Sequence, residues 1–464
     1  MDKLKDYQLR GVEFILQKKG RAILADEAGL GKTYTTLEAI QRLQSEPVLI
    51  FSINPGLYVW HDELSRWYDK KSIVYSGPPE ERGKLREKFF KDGIKYLIAN
   101  YFFIDEIKNE FNDINWKTIV TDEYHIMGIS NSRTKRFGAI LPLVRKADHI
   151  IMVTGSPVRR NLSNLYAPFN LLDPYTFSSF WEFVNKYCII TEDRFGKTIE
   201  EMPKNPEKFD RLRKNYLIRR LKENVLKELP PKTRQPISVF MSPEQKELYE
   251  KMDSDMYIEY GDNIITAPNE AVKLLRLRQL LVTPLIFDIP IIGGALEMLI
   301  ELIKVEFSND NPVAIFTPFR TAIKPIMEVL KERLGKPEVL FCKLHGGMSV
   351  EKTHDNVSNF QNATTVRKIF IATIKSGMAI TITQAKVAIF IGYEWTSEEN
   401  SQAEDRLHRQ GQLDNVRILY LLHRDNETDE KVRQILNSKQ RAINWTLYTK
   451  EMLLKTNVSR ETII

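Results

Sequence analysis

The chain has 464 residues, 42% of them hydrophobic and 28% charged, enough apolar material for two or three ordinary cores and too much for wholesale disorder. Lysine and arginine total 68 against 61 acidic residues, a formal charge of +7 that suits either a nucleic-acid track or a solvated surface and decides between neither. Its longest apolar runs, such as 386–392, are far too short for a bilayer, and Met1-Asp2-Lys3-Leu4-Lys5 lacks the apolar segment of a secretory signal, so an intracellular address, cytoplasm or nucleoid, is expected.

In chain order, Arg21 to Ala25 reads as a short buried strand and Tyr34 to Leu43 as a helix. Between them stands Ala25-Asp26-Glu27-Ala28-Gly29-Leu30-Gly31-Lys32-Thr33. A glycine-rich turn at a helix start, with one lysine, offers backbone amides and a cation to a nucleotide's phosphates. The full phosphate-loop pattern has glycine where this chain has Asp26, and the plain alternative is a capped helix. Further strands are expected at Val48 to Ser52, Tyr96 to Ala99, Thr118 to Thr121 and His149 to Val153, with a helix from Leu57 to Tyr68. The strand at Thr118 runs into Asp122-Glu123-Tyr124-His125. Two adjacent carboxylates at a strand tip can hold a magnesium ion and a nucleophilic water. This alternation predicts a parallel sheet covered on both faces.

From about Phe177 to Leu285 the period is mainly helical, broken by Pro203, Pro206, Pro230-Pro231 and Pro243. Arg211, Arg213, Lys214, Arg219, Arg220 and Lys222 interleave there with Phe209, Tyr216 and Leu221, either as an amphipathic helix with a wet basic face or as phosphate contacts. Strands return at Val313 to Phe316, Val339 to Lys343, Ile369 to Thr373, Val387 to Ile391 and Val416 to Leu421, with a helix from Thr321 to Leu334. Cys188 and Cys342 lie far apart without a CxxC pair, which predicts reduced structural thiols and no zinc site.

Taken in order, these motifs resemble the Swi/Snf-type branch of the superfamily 2 helicases and translocases. Tyr7-Gln8-Leu9-Arg10-Gly11-Val12 is similar to that family's adenine-reading motif, and Ala25 to Thr33 to its DEMGLGKT loop with Ala28 for methionine. Asp122-Glu123-Tyr124-His125 resembles the DEAH box with tyrosine for alanine, and Met152 to Pro157, continuing through Asn161-Leu162 to Leu171-Leu172-Asp173-Pro174, its TGTP segment. Leu217-Ile218-Arg219-Arg220 through Leu229-Pro230-Pro231-Lys232 looks like the segment that leads toward the second lobe. Ala372 to Thr383 and Gln402-Ala403-Glu404-Asp405-Arg406-Leu407-His408-Arg409-Gln410-Gly411-Gln412 resemble its last two helicase motifs, with Lys375 and Ala379 departing from the pattern. Phe180-Trp181-Glu182-Phe183 and Tyr187-Cys188 look most like annealing-helicase and phage-encoded branch-migration members.

The resemblance implies an α/β fold of two RecA-like parallel-sheet lobes with a helical insertion between them. The expected divisions are 1–174 for the first lobe, 175–288 for the insertion, 289–426 for the second lobe and 427–464 for a helical tail. It implies ATP and Mg2+, with Gln8, Gly29, Gly31, Lys32 and Thr33 at the nucleotide and Thr33 and Asp122 on the metal. Glu123 would position or deprotonate the attacking water, and Gln402, Arg406 and Arg409 would stabilise the departing phosphoryl oxygens. Those arginines stand three apart on an expected helix face and would come from the opposite lobe, coupling hydrolysis to domain closure. Thr154, Ser156, Lys375, Ser376 and Arg219 are the expected contacts to DNA, and Trp60, Trp67 and Trp395 are either base-stacking or packing residues. The expected function is an ATP-dependent DNA translocase that regresses forks or migrates Holliday junctions in replication, recombination or repair. The alternatives are a remodeller of nucleosomes or other protein–DNA complexes, an RNA helicase, and a non-catalytic ATP-switched DNA clamp.

Overall fold

The computed structural model describes residues 4–424 other than 126–127, 159–161, 194–195, 335–337, 377–379, 396 and 410. The expected tail, 427–464, lies outside the described residues, as do Asn161, Gly377, Ala379 and Gln410 of the quoted motifs. The described chain forms two compact units that meet in sequence at Lys227 and Glu228.

The first unit carries β1 (Arg21–Leu24), β2 (Val48–Ser52), β3 (Ser72–Tyr75), β4 (Tyr96–Asn100), β5 (Thr118–Asp122), β6 (His149–Val153), β7 (Cys188–Asp193), β8 (Gly196–Pro203) and β9 (Leu217–Ile218). Seven of them make one sheet in the order β3-β4-β2-β5-β6-β1-β9, and β7 pairs with β8 in a separate antiparallel hairpin. All neighbours in the large sheet run parallel. Helices must then cover both faces, and the strands bury both sides. Leu49, Phe51, Leu97 and Ala99 point into one core, while Val48, Ile50, Tyr96 and Ile98 point into the other. That two-residue alternation inside a continuous apolar run is what the sequence displayed as short buried strands.

The second unit holds β10 (Lys232–Val239), β11 (Tyr257–Tyr260), β12 (Asn263–Thr266), β13 (Val313–Thr317), β14 (Leu340–Leu344), β15 (Lys368–Thr373), β16 (Val387–Phe390) and β17 (Val416–His423). Its main sheet is β10-β17-β16-β13-β15-β14, again parallel throughout. Val313 and Ile315 enter one of its cores and Ala314 and Phe316 the other. The two parallel-sheet α/β lobes are therefore as expected.

The segment read as mainly helical is mixed. Helices Phe180–Tyr187, Pro206–Tyr216, Pro243–Asp255 and Glu270–Val282 are present, yet β7–β8 and β11–β12 are hairpins. β9 and β10 each extend a main sheet. Lys232-Thr233-Arg234-Gln235-Pro236 does not read as a strand because it is polar, as suits an edge, and an edge also tolerates the missing amide of Pro236. A small core of Leu248, Met252, Ile258, Ile265, Leu277 and Leu280 holds β11–β12 against its flanking helices. Among the described residues no helix is long and apolar enough to cross a membrane.

Candidate active site

Parallel register assembles the first unit's site. Leu24 of β1 and Asp122 of β5 both align with Val153 of β6, so the loops after three adjacent strands leave the sheet at one level. The Thr154 amide donates to the Leu24 carbonyl at 3.1 Å, and the Glu123 amide to the Val153 carbonyl at 2.8 Å. Loop ends at the carboxyl edge of such a sheet are where open α/β folds bind ligands.

The loop after β1 turns through Gly29 and Gly31 at φ of 87° and 70°, left-handed values that glycine adopts without strain. Gly31 caps helix Lys32–Leu43, and a Cβ there would collide with the Gln8 amide. Gln8 itself is buried. Its oxygen accepts from the Lys5 amide at 2.9 Å and its nitrogen donates to the Leu30 carbonyl at 3.4 Å, so it braces the Gly-rich loop. The Lys32 ammonium donates to the Asp26 and Glu27 carbonyls at 3.0 and 3.4 Å. Thr33 stands on the first turn of the helix.

The Asp122 carboxylate accepts from Ser52 at 2.8 Å and from the Trp60 indole at 3.0 Å, and the Tyr101 hydroxyl donates to its carbonyl at 2.7 Å. Burial, then the neighbouring charge of Glu123, hold the Asp122 pKa well above the usual carboxylate range, with Lys32 pulling the other way. Glu123 adopts φ of 48°, a left-handed conformation that costs a side-chain-bearing residue energy and clusters at functional sites. Its carboxylate accepts from the Thr154 hydroxyl at 3.1 Å and stands 3.4 Å from His125 Nδ1. The Thr154 hydroxyl also meets His125 Nδ1 at 2.7 Å and accepts from the Ser156 amide at 2.9 Å. Thr154, expected at DNA, is thus fully buried and links the acidic pair to the loop carrying Ser156.

Magnesium fits these residues. The ion takes one or two carboxylates beside phosphates and waters, and the adjacent Asp122 and Glu123 supply such donors at the strand end. Among the described residues no set of three or more His, Cys, Asp or Glu forms a self-sufficient metal site.

Asp26 is fully buried, and its carboxylate accepts from the backbone amide and guanidinium of Arg220, at 3.0 Å from the amide and 2.8 Å from Nε. The Glu27 amide donates to the Arg220 carbonyl at 3.0 Å, and the Lys222 amide to the Glu27 carboxylate at 2.7 Å. A Cβ on Gly11 would press to 2.6 Å from Arg220 Nη2, which accounts for glycine there. Arg219, the other arginine of this segment and an expected DNA contact, donates from one nitrogen to the carbonyls of Ala25 and Gly155 at 2.9 and 2.7 Å. This clasp ties the Gly-rich loop to the segment that follows β9. The only signal for it was the acid standing where a phosphate loop has glycine.

Of the tryptophans considered for base stacking, Trp60 is 1% exposed and orients Asp122. Trp67 stacks on Tyr34 with centroids 4.7 Å apart, and in the second unit Arg278 lies 4.3 Å over Trp395. Trp60 is therefore a packing residue, while Trp67 and Trp395 are half-buried against these neighbours.

In the second unit, helix Ser397–Glu404 carries Gln402, which is buried. Arg406 and Arg409 lie beyond the end of that helix, in the turn that follows, rather than on its face. Arg406 is 3% exposed, and its carbonyl accepts from the Ile382 amide at 3.1 Å. Arg409 donates to the Ile380 carbonyl at 3.0 Å and to the Thr381 hydroxyl. What holds the turn is Glu404. Arg234 grips it with two bonds of 2.8 and 2.7 Å, Lys232 stands at 2.9 Å and the Tyr420 hydroxyl donates at 2.7 Å. Burial alone would raise the Glu404 pKa, but Lys232 and Arg234 overcome it and hold it at about 2. Lys375 is exposed and paired with Glu394 at 2.9 Å, and Ser376 meets the Thr373 hydroxyl at 2.6 Å.

The sequence pattern of the SNF2-related domain matches residues 7–284. The chain belongs to the SNF2-related family. Residues 294–411 of this SNF2-related chain match the helicase conserved C-terminal domain. The ISWI chromatin-remodeling complex ATPase ISW1 of Saccharomyces cerevisiae is 27% identical over 94% of this chain and 40% of its own length. The DNA annealing helicase and endonuclease ZRANB3 of Homo sapiens is 28% identical over 96% of this chain and 40% of its own. The chain thus spans about two-fifths of the length of these relatives. The SWI2/SNF2 ATPase core of Sulfolobus solfataricus, in complex with dsDNA, matches 97% of this chain and 96% of that chain at 23% identity and a TM-score of 0.43, a likeness too loose to carry an argument.

Proposed function

We propose that this SNF2-related chain is a DNA-dependent ATPase that translocates on DNA and remodels branched DNA, by fork regression or branch migration. The observation that carries the ATPase reading is the convergence of the Lys32 loop, the Asp122–Glu123 pair and the Thr154 loop at one edge of a parallel sheet. Lys32 would leave its two loop carbonyls for the β and γ phosphates, which are stronger acceptors. Thr33 and Asp122 would hold magnesium, which when bound neutralises phosphate charge. Ser52 and Trp60 keep Asp122 aimed. Glu123 would orient the attacking water, with Thr154 and His125 fixing its carboxylate. Arg406 and Arg409 are assigned the charge of the departing phosphoryl group.

Similarity to an annealing helicase supports the branched substrate, whereas similarity to chromatin-remodelling ATPases supports a second reading, translocation on plain duplex against bound protein. Steady-state hydrolysis separates them, measured without nucleic acid and with single strand, duplex, fork, four-way junction and RNA, beside a Lys32→Ala control. Greater stimulation by forks and junctions than by duplex, lost in the control, is the expected result. Equal stimulation by duplex favours the second reading, preference for RNA favours an RNA helicase, and binding without hydrolysis on any substrate leaves only a clamp.

A further inference from the structure

A second concavity of the first unit plays no part in the chemistry above. It measures about 350 Å3 and is walled by Asn131, Arg133, Asn164, Tyr166, Phe180 and Trp181, with the β7–β8 hairpin closing one side. Its rim and the surface beside it expose large aromatic side chains. Trp181 is 49% exposed, and Phe102, on the neighbouring stretch of surface reached through Arg136, is 68% exposed. Arginines alternate with these rings. Arg133 lies 5.8 Å from the Phe180 centroid, Phe180 meets Trp181 edge to face at 5.4 Å, and Arg136 lies 4.5 Å over Phe102.

The frame beneath is fixed. The Asn131 side-chain oxygen accepts from the Arg133 amide at 3.0 Å, and the Thr134 hydroxyl caps helix Lys135–Lys146 by accepting from the Phe137 amide at 3.1 Å while donating to the Gly128 carbonyl at 2.8 Å. Arg133 therefore leaves the turn before Thr134 and Arg136 the first turn of the helix that Thr134 caps, three residues apart.

Interleaved guanidinium groups and aromatic faces are what an unpaired strand needs, because each base offers a π face and each link a phosphate. A duplex hides its base faces in the stack and has no use for an exposed indole. The volume falls at the small end of ligand sites, enough for one nucleoside.

We propose that this concavity is a subsite for single-stranded DNA, with an unpaired base against Trp181 and its phosphates on Arg133 and Arg136. That the strand is one arm of a branch rests on the branched-DNA reading above. The site is separate from hydrolysis, so it sets which structure is gripped rather than whether ATP turns over.

The test is equilibrium binding of the full chain, without nucleotide, to oligo(dT) of about 16 nucleotides, the upper site size of single-strand binding folds, and to a duplex of equal length. Tryptophan quenching and anisotropy are the readouts. Trp181→Ala and Arg133→Ala change exposed side chains. Each is expected to weaken oligo(dT) binding about tenfold, to leave duplex affinity and duplex-stimulated hydrolysis within about twofold, and to lower the fork-over-duplex preference. Trp181→Phe keeps a ring and is expected to retain most of the oligo(dT) affinity while losing most of the quenching. Unchanged oligo(dT) affinity in both alanine variants, or an equal loss on duplex, overturns the proposal. Fork stimulation of the parent decides the other reading independently. Forks that stimulate while both variants bind oligo(dT) normally keep branch remodelling and remove the subsite; the reverse pattern keeps the subsite and removes branch remodelling.

Discussion

Replacing Arg220 with alanine is expected to weaken the first unit more than any other single change in its clasp. The guanidinium is 10% exposed and the Asp26 carboxylate 0%, so the variant leaves a buried charge with one backbone donor, the residue 220 amide. Removing one partner of a buried ion pair costs about 3–5 kcal/mol, and the lost packing of Arg220 over the Tyr7 ring adds to it. Asp26→Ala/Arg220→Ala removes both charges and is expected to recover at least about 1 kcal/mol relative to the sum of the single variants, the range of coupling seen for contacting residues. Urea unfolding followed by tryptophan fluorescence measures this, because Trp60 and Trp67 report on the same unit. ATP affinity should fall in parallel, since Asp26 lies inside the phosphate loop that Lys32 closes. An Arg220→Ala variant within about 0.5 kcal/mol of the parent, the size of an ordinary surface change, or strict additivity in the double variant, would refute the reasoning.

Three further outcomes follow from the geometry. Glu123→Gln keeps the hydrogen-bonding shape but cannot take a proton, so hydrolysis should drop at least about 100-fold with ATP binding retained, as single-turnover measurements against nucleotide binding will show. Trp60→Phe removes one donor to Asp122 while filling the same core, and the magnesium concentration for half-maximal hydrolysis should rise about tenfold, the size seen when a metal ligand loses its orienting partner. The second unit should lose stability in acid. Glu404 is held at about 2 when folded, against an ordinary value of 4.5, so its contribution is complete above about 4.5 and disappears as pH falls toward 2. Glu404→Gln should flatten that part of the profile in circular-dichroism melts taken across this range.

The candidate site is legible in the sequence where it is local. Nine consecutive residues make the Gly-rich loop after β1, and two adjacent carboxylates end an apolar strand, so reading along the chain brings out Lys32, Thr33, Asp122 and Glu123 as candidates. Strands buried on both faces announce themselves as apolar runs, so five of the seven strands in the first unit's parallel sheet are legible, while the two edge strands are not: β3 is flanked by lysines and β9 is only two residues long. The hairpins β7–β8 and β11–β12 lie outside the main sheets, and their strands are not continuous buried apolar runs.

Only tertiary structure could say what the remaining side chains do. Arg220 meets Asp26 across 194 residues of chain, and Ser52 and Trp60 meet Asp122 across 70 and 62. Those meetings follow from parallel pairing, which brings to one edge of the sheet the ends of strands that are far apart in sequence. Packing likewise turned Thr154 and Arg219 inward onto the site's own frame and left Trp181 half in water. A one-dimensional pattern records which groups are present; the register of the sheet decides which are already spent on the protein and which remain for a ligand.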